Sequence, residues 1–172
     1  DSIEHGIEAE RDELFQMQKR NIFLGPTLEG LWCRFADPRK NKQETKAASY
    51  EWSGIGRMFS AGLRLNAGPR PFGNFLFSSD AGSHLTPHAS LKELYFMRKL
   101  GMRPADVFAA ATLNGARYLR LHHKYGLMEP GYKADLIFWE KNPLGLSLKE
   151  WQHLEKFIGA VMMDGKIVHV RN

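Results

Sequence analysis

Two side chains in this 172-residue chain stand where metal-assisted chemistry could be built. His5 closes the run Ser2-Ile3-Glu4-His5-Gly6, and Asp80 closes Phe77-Ser78-Ser79-Asp80-Ala81-Gly82. Each follows a strand-like stretch directly, so in a βα architecture each would emerge at the C-terminal mouth of its strand. A neutral histidine nitrogen suits zinc-like ions, and a carboxylate can hold a metal and also take the proton from bound water. Each residue alone also has a plainer role. A strand-end histidine serves as a partly exposed polar group, and an aspartate caps a helix or turn by accepting backbone N–H bonds. Thr27, Ser78 and Ser79 have no base motif beside them, which argues against a serine-type nucleophile.

The elements that would position these residues alternate between strand and helix. Residues 1–5 read as a strand end, and residues 8–20 as a charged helix with Leu14, Phe15 and Met17 among its apolar positions. Residues 21–28 read as a short buried strand running into the Gly25-Pro26-Thr27 loop, and residues 41–62 as a helix. Phe75–Ser79 is a second compact apolar strand. Residues 90–100 form a helix with a capping box, Ser90 accepting a backbone N–H while Glu93 reaches back. Pro104 opens the next helix, whose Val107, Phe108, Ala111, Thr112 and Gly115 share a face. This alternation predicts βα repeats around a parallel sheet.

From about residue 122 the pattern changes. Ala134–Trp139 reads as a strand, Ser147–Glu155 as a short helix, and Ile158–Met163 and Lys166–Val170 flank the Asp164-Gly165 hairpin signal. The expected organisation is therefore two units, residues 1–121 and 122–172.

Charged residues make up 25% of the chain and hydrophobic ones 43%, as in an ordinary globular protein. No apolar run approaches the ~20 residues of a membrane span, so no membrane partner is expected. The net charge of +5 is densest at Arg34, Arg39, Lys40, Lys42 and Lys46. That stretch has few interleaved aromatics and no nucleic-acid motif, and reads as a solvated loop leading into a helix. The one cysteine, Cys33, excludes an internal disulfide and points toward a reducing, cytoplasmic setting. Because the chain begins at Asp1, its true N-terminus is expected upstream, along with any targeting segment.

The order of short motifs carries a resemblance. Ser-Ile-Glu-His-Gly is followed by Gly-Pro-Thr-Leu, Ser-Asp-Ala-Gly and Pro-His, then Gly-Met-x-Pro, Ala-Thr-x-Asn-x-Ala and Glu-Pro-Gly-x-x-Ala-Asp-Leu. Across nearly its whole length the chain resembles the C-terminal half of the amidohydrolase superfamily, in its imidazolonepropionase-like and prolidase-like branch. The resemblance implies an α/β fold: the last βα units of a distorted TIM barrel, followed by a small antiparallel β-unit of a composite β-sandwich. It implies hydrolysis of C–N bonds in amides, cyclic amides or Xaa-Pro-type dipeptides by metal-activated water, with one or two divalent ions, zinc foremost. His5 matches the metal-binding histidine of the sixth barrel strand, and Asp80 the eighth-strand aspartate that binds metal and shuttles a proton. Pro87-His88 falls where related sequences carry Pro-His-Gly near the pocket, giving His88 a substrate-side role or that of a plain loop histidine. His122, His123, His153 and His169 belong to the linker and the peripheral unit, and Asp135, Asn114 and Arg117 read as structural.

Three departures accompany the resemblance. The family's first-strand His-x-His, its fourth-strand bridging group and its fifth-strand histidine are expected before residue 1. An additional Asn66–Asn74 segment precedes the strand that ends at Asp80, and Arg103 replaces the threonine usual before the helix proline. Expected partners are a small amide or dipeptide substrate, and either further copies of the chain (a homo-oligomer) or a complementing N-terminal segment. The rival expectation is a catalytically silent remnant that acts as an interaction module.

Overall fold

The computed structural model describes residues 1–7, 9–35, 46–65, 74–82 and 91–171. β1 (Ser2–Glu4) pairs in parallel with β2 (Phe23–Gly25), Ile3 lying opposite Leu24. Leu24 in turn bridges Phe75 in the parallel sense, its N–H donating to Asn74 O at 2.8 Å while Leu76 N–H donates to Leu24 O at 2.9 Å. Three chain stretches thus lie side by side in chain order and run the same way.

The third stretch is less of a strand than its apolar composition predicts. Beyond the Phe75 bridge, residues 76–79 form no ladder. Their outer edge is instead satisfied by helix groups: Phe77 N–H donates to Ala110 O at 3.2 Å, and Asn114 Nδ2 donates to Phe75 O at 2.9 Å. Buried backbone groups must be paired, and here a helix does what a neighbouring strand would otherwise do.

Leu24 and Phe75 are wholly buried on the side where helices cover the strands. α1 (Arg11–Lys19) begins at a reciprocal box between Glu10 and Glu13, with acidic residues in its first turn and Lys19 in its last. It contributes Leu14 and Met17, three positions apart on one face, whereas Phe15 points outward and is half exposed. α3 (Lys46–Leu65) supplies Ile55, Met58 and Phe59, and the Phe59 ring stacks on Phe75 at 4.6 Å. The start of the predicted helix at residues 41–45 lies outside the described residues, as does Glu8 of the first helix and most of the Asn66–Asn74 segment. α2 (Leu28–Phe35) starts immediately after Thr27, where the sequence reading placed only a loop.

α4 (Lys92–Lys99) is followed by α5 (Pro104–Ala111), opened by its proline, and by α6 (Leu113–Tyr118) after a break at Thr112. The antiparallel unit consists of β3 (Leu136–Trp139), β4 (Ile158–Met163) and β5 (Lys166–Val170), in that order. Asp164 and Gly165 turn the hairpin, both with positive φ as a tight two-residue turn requires. Asp135 is structural: its Oδ1 accepts the Asp164 N–H at 2.7 Å, and Lys133 pairs with the Asp164 carboxylate.

The helix predicted over 147–155 divides into α7 (Leu148–Trp151), capped reciprocally by Ser147 and Glu150, and a 3-10 turn at Leu154–Phe157. Trp151 is the fastener of this region. It is buried against Phe108 of α5 at 5.3 Å with Arg98 of α4 over its ring at 5.7 Å, and Phe108 also meets Trp139 at 5.8 Å.

Candidate functional site

His5 follows β1, Thr27 comes two residues after β2, and Asp80 ends the stretch that begins at the Phe75 bridge. Because the three stretches are parallel, all three residues emerge on one rim. They share an uncommon backbone: φ is 67° at His5, 47° at Thr27 and 52° at Asp80. Histidine and aspartate visit this left-handed region more readily than most residues, but β-branched Thr27 does so at a cost on the order of 1–2 kcal/mol. Strain of this kind persists only where surrounding contacts enforce it.

One such contact is direct. His5 Nδ1 lies 2.6 Å from Thr27 Oγ1, and Thr27 is buried. With Nδ1 carrying the proton and donating to the hydroxyl, Nε2 keeps its lone pair for the rim, the arrangement that suits a metal-binding imidazole. Asp80 lies at the surface and is held from below by α2. A Cβ on Gly30 would come within 3.3 Å of Asp80 Cβ and 3.2 Å of Ser79 O, so the glycine gives the Asp80 turn its seat.

Glu4, which the sequence analysis did not single out, links the stretch that carries His5 to the stretch that carries Asp80. Its carboxylate accepts from Ser2 Oγ at 2.8 Å and from Ser78 Oγ at 3.3 Å, joining the stretches that carry His5 and Asp80. Gly25 makes room for it, since a Cβ there would sit 2.1 Å from Glu4 Oε2.

Beneath the rim, two more carboxyl groups are buried where α2 and α4 begin. Glu93 Oε1 accepts from Leu28 N–H at 2.9 Å, and its Oε2 accepts from Glu29 N–H at 2.7 Å. The predicted box with Ser90 is thereby corrected on the Glu93 side: this carboxylate caps α2, not its own helix, and Ser90 lies outside the described residues. Glu29 is reciprocally influenced by the Glu93 backbone N–H, while its Oε2 finds no partner among the described residues. Burial pushes Glu93 from 4.5 up to about 8, against the pull of the Glu29 and Leu28 N–H groups. Burial likewise raises Glu29 from 4.5 to about 7, with Lys92 and the Glu93 N–H pulling down. No local signal announces this pairing, because Glu93 lies 65 and 64 residues from the two N–H groups whose bonds it accepts.

His88 and His84 lie outside the described residues. His122 and His123 lie together on the surface, ring to ring at 6.4 Å, and His153 and His169 are exposed in the antiparallel unit. Among the described residues there is no group of three or more His, Cys, Asp or Glu able to hold a metal ion. His5 and Asp80 suit a zinc-like ion in kind, but two donors are fewer than the three protein ligands such sites use.

These features define an α/β protein whose candidate site lies at the C-terminal ends of parallel stretches. The pattern of the Amidohydrolase family matches residues 57–168, so the chain belongs to the amidohydrolase family. It is 32% identical over 93 residues to an imidazolonepropionase from Brevibacillus brevis, a match covering 53% of this chain and 22% of that protein. Over 68 residues it is 46% identical to an adenine deaminase from Petrotoga mobilis, covering 37% of this chain and 12% of the relative. A Xaa-Pro dipeptidase crystallised with methionine in its active site superposes with a TM-score of 0.76 and 25% identity, over 98% of this chain and 40% of the dipeptidase. The chain therefore spans well under half the length of the proteins it matches.

Proposed function

We propose that this chain is the C-terminal portion of a hydrolase that cleaves carbon–nitrogen bonds in small amides, cyclic amides or Xaa-Pro-type dipeptides. The reading is supported by His5 and Asp80 each following one of three parallel stretches, and by the 2.6 Å contact that orients His5 through Nδ1 against Thr27 Oγ1. Family membership and the names of the relatives support the reaction class. In the complete assembly, His5 and Asp80 would hold part of a divalent metal site of the last barrel strands, completed by donors from outside the described residues. Such an ion, zinc foremost, supplies an acidified water and polarises the scissile carbonyl. Asp80, exposed at the end of the third parallel stretch, would accept a proton from an attacking water and pass it to the leaving nitrogen. Glu4 ties the first stretch to the third through Ser78 Oγ.

Asp80→Asn keeps the shape of the side chain and removes the base. In an assembly that includes the remaining barrel strands and zinc, turnover of a Xaa-Pro dipeptide or an acyl amide should fall by about 10²–10⁴-fold. Turnover within a few-fold of the parent would exclude Asp80 from the reaction.

The second reading is a catalytically silent module, favoured by the two-donor count at the rim. It is distinguished by the same assay, since the unmodified chain in a complemented assembly would then yield no product.

A further inference from the structure

Thr27 is the N-cap of α2: its carbonyl accepts the Leu31 N–H at 3.0 Å. An N-cap threonine ordinarily turns its hydroxyl onto the N–H of the second or third helical residue, satisfying one of the orphan donors there. Here the hydroxyl is spent on His5 Nδ1, 2.6 Å away, and the first two N–H groups of α2 are taken by Glu93, 65 and 64 residues downstream. We propose that Glu93 is a positioning residue for His5: by capping α2 in place of Thr27, it releases the threonine hydroxyl to fix the histidine tautomer.

The competition is between two acceptors for the same helix end. With the Glu93 carboxyl present, Leu28 and Glu29 N–H each have an oxygen in place, at 2.9 and 2.7 Å, without drawing on the threonine hydroxyl. Without it, buried N–H groups would be left unpaired, and the nearest remedy is for Thr27 Oγ1 to turn back toward Glu29 N–H. An oxygen that accepts from its own helix is a poorer acceptor for the Nδ1 proton, so His5 would drift toward the mixture of tautomers seen in a free imidazole. The left-handed φ of Thr27 fits this account, because it breaks the extended backbone an N-cap normally uses.

The inference deepens the hydrolase reading, since a fixed tautomer matters most if Nε2 binds metal, yet it can be tested on the metal-free chain. Two-bond ¹H–¹⁵N spectra report the His5 tautomer, and amide exchange reports the α2 cap. The full chain should show one dominant His5 tautomer, protonated at Nδ1. Glu93→Gln keeps one acceptor but sets an amide NH₂ against the other N–H. It should mix the tautomers and lower Leu28 and Glu29 amide protection by roughly tenfold or more, with β3–β5 amides unchanged as the folding control. Thr27→Val should mix the tautomers while leaving Leu28 and Glu29 protection as it was, and Thr27→Ser should restore the single tautomer. In the double variant, Glu93→Gln should add nothing to the tautomer change caused by Thr27→Val.

An unaltered His5 tautomer in folded Glu93→Gln overturns the proposal. So does loss of Leu28 and Glu29 protection in Thr27→Val, which would make Thr27 its own cap and decides the matter even if Glu93→Gln fails to fold. Zinc affinity of the same variants then separates the two claims: an intact tautomer relay with zinc binding indifferent to it leaves this inference standing and removes the metal role of His5.

Discussion

Glu29 and Glu93 occupy the meeting point of two helix N-termini, where partial positive charge from both helices favours carboxylates and dense packing disfavours them. Burial wins at both residues, which are pushed to about 7 and about 8 from an ordinary 4.5. A carboxyl whose folded pKa is raised binds its proton more tightly in the native state. Its stabilising contribution is therefore complete below about pH 4.5 and is lost as pH climbs toward 8. Thermal denaturation of the chain should show a midpoint that declines between pH 5 and 8 and levels off above. Glu29→Gln, which removes one of the two buried charges, should flatten that decline. A midpoint that rises across the same window would mean that the N–H groups outweigh burial at this junction.

At the scale of elements, the antiparallel unit is joined to the helices by Trp151, which fills the space between α4, α5 and β3. It is fully buried, and Phe108 reaches both Trp151 and Trp139. Trp151→Ala should destabilise the chain by about 3–5 kcal/mol, the usual cost of emptying a large aromatic site. Denaturant melts followed by near-ultraviolet circular dichroism would measure it, and a loss under 1 kcal/mol would show that the unit docks by other contacts. The α5–α6 break has a comparable purpose. It turns Ala110 O and the Asn114 amide onto the edge of the third parallel stretch, which accounts for Asn114 being buried on a short helix.

Taken whole, the described residues leave apolar side chains exposed along strand edges. Ile3 on β1 is 43% exposed, and Ile167, Val168 and Val170 along β5 are exposed on both faces of an edge strand. Edge strands of this kind pair readily with other chains. Light scattering on the purified chain should give a mass above the 19.7 kDa of one copy, and a cooperative monomer at micromolar concentration would contradict this. Elemental analysis after dialysis should find transition metal well below one ion per chain, because His5 and Asp80 offer too few donors for tight binding. Stoichiometric zinc would mean that a residue outside the described set, His84 or His88 among them, completes the site.

What the sequence determined by itself was local or written in motif order. The hairpin at Asp164-Gly165, the proline start of α5, a helix beginning after Ser147 and the strand-end placement of His5 follow from residue types within a few positions of one another. Family membership was legible because those short motifs recur in a fixed order along the chain. The tertiary structure alone decided the rest. The α2 helix was hidden because the acceptor for its first N–H groups, Glu93, lies more than sixty residues downstream, so no local capping pattern announces it. Phe75–Ser79 reads as a strand from its apolar composition, yet only Phe75 bridges, because a helix carbonyl and an asparagine amide satisfy the outer edge. The link from His5 to Thr27 to the α2 cap depends on three separate stretches arriving at one point, and distance in sequence carries no record of proximity in space.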